Sequence, residues 1–244
     1  MIAAVLVFVT AGPFEVTKLR GLRSRADLPG PFLFAKALKT VRAVRAAALE
    51  GCGQDAMVLN RVLLETALAV TWILQTNTRR RGELFLAHQD QRTLVQLDAM
   101  SATPGLRRAS RRLKKDASAQ IQRRCSAKLT PTEFASVKRH WSGLPGGIEA
   151  VARKIPGGIK LYQTVYRQAS SSAYGSDALT HVFYGDGDDA PTLKILPGDE
   201  SVSTSLVTAA LLLHAIAARM NKRFGLHHDA ALEAIGKAIK DWKP

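Results

Sequence analysis

The segment from Asp55 to Thr76 constrains this chain more than any other. Val58, Leu59, Val62, Leu63, Ala67, Val70, Ile73 and Leu74 recur there at intervals of three and four, the spacing of a helix. They leave little room for a wetted face. A helix that is apolar nearly all round has to lie at the centre of a fold, with other elements covering it. The rest of the chain must therefore supply the cover.

The flanking sequence supplies it as helices. Phe32, Phe34, Leu38, Val41, Val44 and Leu49 carry the same periodicity, and Gly51-Cys52-Gly53 stops that run. After Arg79-Arg80-Arg81 a further helix passes through Leu84, Phe85, His88, Leu94 and Leu97, and Pro104-Gly105 breaks it. Thr130-Pro131-Thr132-Glu133 reads as an N-cap, a proline in the first turn and a capping glutamate. Pro145-Gly146-Gly147-Ile148 and Pro156-Gly157-Gly158-Ile159 bracket a short helix, and a helix through Leu161, Tyr162, Val165 and Tyr166 comes next. Two more helices are expected, a long apolar one over 202–224 ending at Gly225 and an amphipathic one from Asp229 to Trp242. The expected fold is all-α, a bundle of seven to nine helices with at most a small β element near 182–197. Residues 1–31, rich in Gly, Pro and Arg towards their end, read as an irregular basic arm, and 32–244 as a single helical domain.

Charge narrows the partners. The 244 residues hold 35 Lys and Arg against 20 Asp and Glu, a net charge of +15. Such a balance favours polyanions, namely RNA or DNA backbone or an acidic protein partner. Much of it lies in one segment: Arg107, Arg108, Arg111, Arg112, Lys114, Lys115, Arg123, Arg124 and Lys128 are opposed locally only by Asp116. Spacings of three and four put many of these on one helical face, a phosphate-tracking surface or simply a solvated one. No aromatic residue lies between Phe85 and Phe134, so this segment offers no platform for stacked bases.

Two groups of polar residues sit on otherwise apolar helices. Asn60, Arg61 and Glu65 lie in the central helix, and the Arg61–Glu65 spacing of four puts that pair on one face. They form either a buried tie between helices or the wall of a polar cleft. Tyr162, Tyr166, Ser170 and Tyr174 recur every four residues, either an aromatic packing stripe or the other wall of that cleft.

Other chemistry is not indicated. There is no GxGxxG, P-loop, GxSxG or HExxH pattern. Asp186-Gly187-Asp188-Asp189 lacks the later ligands of a calcium loop. Cys52, Cys125 and six scattered histidines make no metal-ligand spacing, so no metal and no cofactor is expected. Reduced thiols point to the cytoplasm. Met1 to Val9 is apolar but has no basic residue before it and is short for a signal segment. The later apolar runs carry Glu65 and His214 and are expected to fall short of a span of about 20 residues, so no membrane crossing is expected. A homo-oligomer is compatible with all of this.

Taken together, these residues resemble a bacterial family of helical domains of unknown function. Its pattern is an Arg-x-x-x-Glu pair in an apolar helix, a Trp-x-Gly turn, a Tyr-x-x-x-Tyr-x-x-x-Ser helix, and a histidine with a serine nearby. Arg61 and Glu65, Trp141 and Gly143, and Tyr162, Tyr166 and Ser170 match it; the histidine position holds Tyr174, with His181 further on. The resemblance spans 34–181 and brings no activity with it. A weaker similarity is to HEPN-type helical ribonucleases, marked by an arginine a few residues before a histidine. Arg167 precedes position 174 at that spacing, although a tyrosine stands there. The HEPN similarity implies Arg167 as a catalytic residue, with His181 supplying the imidazole from a neighbouring turn, or else a copy that is not a nuclease. The polar cleft would set Arg61 and Glu65 beside that pair as further catalytic residues. The alternative is a non-catalytic protein-interaction module, a toxin–antitoxin or phage-defence component, whose polar residues are structural and whose basic face meets an acidic partner.

Overall fold

The computed structural model describes residues 22–142, 144, 147–173, 182–183, 192–193 and 201–241. After a 3-10 turn at Arg25–Asp27 come α1 (Pro29–Leu49), α2 (Gly53–Gln75), α3 (Thr78–Ala102), α4 (Arg107–Lys128), α5 (Pro131–Val137) and α6 (Gly147–Arg153). A continuous helical run, α7, is α-helical at Gly158–Leu161, π-helical at Tyr162–Tyr166 and α-helical again at Arg167–Ala173. A two-residue antiparallel pair, β1 (Val182–Phe183) with β2 (Thr192–Leu193), falls where a small β element was expected. The helices α8 (Val202–Phe224) and α9 (Asp229–Lys240) complete the order. The chain is therefore an all-α bundle.

The central helix is α2, packed by α1, α8 and α7. Leu63, Leu64, Val70 and Ile73 of α2 meet Val44 of α1 and Leu213, Ile216 and Met220 of α8, all fully buried. Each such side chain contributes about 1.5–3 kcal/mol by leaving water. The tie between α2 and α8 is also polar. Asn60 Nδ2 donates to the Ser205 carbonyl at 2.8 Å, and the Ser205 hydroxyl donates to the Gly53 carbonyl at 2.8 Å.

The helix ends obey local rules. Asp55 sits in the first turn of α2, where a carboxylate meets the positive end of the helix dipole. The expected capping box of α5 forms: Thr130 accepts from the Glu133 amide, and the Glu133 carboxylate accepts from the Thr130 amide at 2.9 Å. Lys222 and Arg223 close α8 ahead of Gly225, whose φ of +60° suits glycine.

Two expectations need correction. The irregular lead-in does not reach Pro31, because α1 begins at Pro29 and Ala26, Asp27, Pro29, Gly30 and Pro31 are all buried. Prolines need no amide partner in a first helical turn, so Pro29-Gly30-Pro31 starts a helix instead of preventing one. The Asp27 carboxylate holds the turn, accepting from the Ser24 amide at 2.9 Å and from Arg223 of α8 at 3.3 Å. Residues 1–21 lie outside the described part. The apolar runs are also longer than expected. Both α2 and α8 have 23 residues with a mean hydropathy of 1.5 over the apolar window, enough to cross a membrane by length and composition alone. For α2 the packing gives another account, since 67% of that window is buried inside the bundle; for α8 the share is 39%.

A second, smaller core lies apart from the first. Leu84 and Ala87 of α3, Ile121 and Cys125 of α4, and Val137 of α5 are buried together, with Leu94 and Phe134 against them. It supports an arm. The pairs Glu83–Lys128 near the base and Asp98–Lys114 near the tip show α3 and α4 running antiparallel as a hairpin.

Candidate nucleic-acid interface and polar cluster

The arm concentrates the charge. Positions 78–128 hold thirteen Lys or Arg against four Asp or Glu, nine of the fifteen net positive charges of the chain. At 3.6 residues per turn, Arg107, Arg108, Arg111, Arg112 and Lys115 fall within a sector of about 140° on α4. All five are exposed. Among the described residues none of the five has an ion-pair partner. The structure thus brings five of the predicted cations onto one open face. It takes others out of that set. Lys114 is spent on Asp98, and Arg123, though exposed, directs Nε to the Ala119 carbonyl at 3.3 Å. Arg124 lies within α4, with no description of its side chain.

At the base of the arm the Arg79-Arg80-Arg81 run is mostly structural. Arg80 grips Glu133 with a two-pronged bond, Nε to Oε1 at 2.9 Å and Nη2 to Oε2, and donates Nη1 to the Lys128 carbonyl. Burial pushes the Glu133 carboxyl up, but hydrogen bonds from Thr130 and the Arg80 guanidinium outweigh it and hold it below the usual carboxylate range. The Arg81 guanidinium lies over the Trp72 ring, 3.3 Å from its centroid, and burial lowers its pKa. Only Arg79 of the three adds an exposed cation without such a role.

The second candidate site forms around the π-helical turn. Arg61 of α2 donates Nη2 to the Tyr166 hydroxyl at 2.8 Å, and its guanidinium carbon sits 4.5 Å from the centre of the same ring. Its Nε lies 3.4 Å from Glu65 Oε1. Tyr162 and Tyr166 stack with centroids 4.5 Å apart and planes 19° from parallel. Burial raises the Tyr162 pKa, and Tyr166 and Glu149 add to that against Arg167 and Arg61. The cluster is not sealed: the Arg61 and Glu65 side chains are 23% and 43% exposed. The predicted Arg61, Glu65, Tyr162 and Tyr166 therefore meet where solvent reaches them, with Arg167 exposed beside them.

Two other predicted members of the cleft, Asn60 and Ser170, do not join. Asn60 is one residue from Arg61 but about 100° round the helix, fully buried against α8. Ser170 turns its hydroxyl back to the Tyr166 carbonyl at 2.7 Å. Tyr174 and His181 lie outside the described residues. Sequence reasoning missed Glu149, which pairs with Arg153 at 2.5 Å on α6 and reaches Tyr162 electrostatically. Its spacing of four from Arg153 is the only local signal. Among the described residues no group of three His, Cys, Asp or Glu could hold a metal ion. Both cysteines are free, Cys52 half-buried and Cys125 buried.

Fold and sites together define a helical bundle that carries a polar tyrosine cluster on its body and a strongly basic two-helix arm. Residues 30–190 match the sequence model of a family of unknown function, DUF5677, and the chain belongs to that family. The match takes in both the arm and the tyrosine cluster, leaving α8 and α9 beyond it. No curated protein and no solved structure matches the chain.

Proposed function

We propose that this protein binds nucleic-acid backbone through the exposed face of α4. The observation that carries the reading is the open sector holding Arg107, Arg108, Arg111, Arg112 and Lys115, none of them in an ion pair among the described residues and with Asp116 the only acidic residue in α4. Burying or pairing a cation inside a protein has structural uses, as Arg80 and Arg81 illustrate. Five unpaired cations on one face have no such use within the chain, and they repel one another unless an outside polyanion balances them. The two free thiols are compatible with a cytoplasmic setting.

Five phosphate contacts on a duplex release counterions so that log K falls against log salt with a slope of about −4.5. Fluorescence anisotropy with labelled RNA and DNA across a salt series measures it. The double variant Arg111→Ala/Lys115→Ala should flatten the slope to about −2.7. No saturable complex with either nucleic acid at about 50 mM salt would sink the proposal.

A second reading rests on the π-helical turn, because such turns inside helices are frequent at functional sites. In it the Arg61–Tyr166 cluster, with Arg167 beside it, stabilises phosphate charge while RNA held by the arm is cleaved, the HEPN-like activity. It requires a proton acceptor besides Tyr162, whose phenol burial holds above its usual range. RNA left intact by the chain under conditions where it binds removes this reading and leaves the first standing.

A further inference from the structure

We infer that the arm selects double-stranded over single-stranded nucleic acid, with no preference for sequence. The inference rests on the backbone-binding reading and names its substrate class.

Rigidity is the first reason. The five cations stand on a regular helix, Arg107, Arg111 and Lys115 each about 6 Å apart along its axis, and α3 braces that helix from one side. Fixed charges at fixed intervals suit a partner whose phosphates are also fixed. A single strand must first be ordered to meet them. Charge density is the second reason. Between Arg107 and Lys115 the axis rises about 12 Å, over which a duplex presents about seven phosphate charges and one strand about half of that. The third reason is what the face lacks. Proteins that hold single strands commonly stack bases on aromatic rings. None of the residues 86–133 is Phe, Tyr or Trp, and the exposed apolar residues of the arm, Val95, Met100, Leu106 and Leu113, are aliphatic.

Sequence indifference comes from thickness. A major groove about 12 Å wide admits one helix of about 10–12 Å. Because α3 lies along α4, the pair is too broad to enter, and the exposed cations meet phosphates at the groove edges. Phosphate contacts fix position but carry no sequence.

The test uses the full chain and anisotropy at about 100 mM salt, with a labelled 24-base-pair duplex and a labelled 24-nucleotide thymidine strand as probes. The expected result is duplex binding at least tenfold tighter, and equal within about twofold for two unrelated duplex sequences. Arg111→Ala/Lys115→Ala, whose exposed side chains leave folding intact by circular dichroism, should weaken duplex binding at least tenfold. A single strand bound as tightly as the duplex overturns the selectivity while backbone binding survives. Tenfold discrimination between duplex sequences overturns the indifference, and undiminished binding by the double variant removes the arm as the surface. Binding to neither probe overturns this inference together with the reading beneath it.

Discussion

Truncating Arg61 to alanine removes at least three interactions at once. The hydrogen bond from Nη2 to the Tyr166 hydroxyl, at 2.8 Å, has a charged donor, and such bonds are worth about 1.5–3 kcal/mol net. The ion pair with Glu65 adds only a few tenths, because that carboxylate is 43% exposed and the N–O distance is 3.4 Å. The ring contact at 4.5 Å is worth about 0.5–1 kcal/mol but overlaps with the hydrogen bond, since both engage Tyr166. The sum, discounted for that overlap, is about 2–3 kcal/mol. In a chain of this size each kcal/mol shifts Tm by about 2–4 °C, so Arg61→Ala should melt about 5–10 °C lower. Tyr166→Phe removes only the hydroxyl and should cost about 1–1.5 kcal/mol. The double variant should cost about 1 kcal/mol less than the two singles added. Urea unfolding monitored by far-ultraviolet circular dichroism gives the free energies, and a thermal scan gives Tm. Arg61→Ala melting within about 1 °C of the parent, with strictly additive free energies, would refute the claim that this guanidinium ties α7 to α2.

Close contacts and charge give two further expected outcomes. A Cβ at position 82 would lie 2.0 Å from the Ala26 carbonyl oxygen, a backbone atom that yields only if the whole turn moves. Gly82→Ala should therefore cost about 3 kcal/mol in urea unfolding, whereas Gly105→Ala, with open space around it, should be neutral; equal stability of the two would be the contrary result. The Glu133 carboxyl is held below its usual range, so its contribution is complete at neutral pH and is lost as pH falls through the lowered folded-state value. Stability of Glu133→Gln relative to the parent should be lowest at neutral pH, and the gap should narrow below about pH 4, as measured by urea midpoints at each pH.

Much of the bundle is legible in the sequence because periodicity and caps are local. Thr130 to Glu133 announces a helix start that the backbone obeys, and 202–224 reads as one helix with its stop at Gly225. The start of α1 is misplaced by sequence reasoning because proline and glycine suggest a break, while in a first turn both are tolerated once Phe32 and its successors continue the helix. Asn60 groups with Arg61 by proximity in sequence, yet one step round a helix separates the core from the surface. The π-helical turn cannot be read at all, since residues four apart form a stripe in either helix type. Lys114 counts as a free cation until the hairpin register sets it against Asp98, a pairing that needs the turn at 104–106 to be known. Glu149 and Tyr162 belong to different helices, and no spacing rule links them.

The separate small core under the arm implies two levels of cooperativity in one chain. Leu84, Ile121, Cys125 and Val137 bury far less apolar surface than the α1–α2–α8 centre, so the hairpin has a lower free energy of opening than the body it stands on. Amide protons of α4 should then exchange before those of α2, with the body intact while the arm breathes. A polyanion lying along α4 would slow that exchange selectively, making the arm the part of the molecule whose order depends on company.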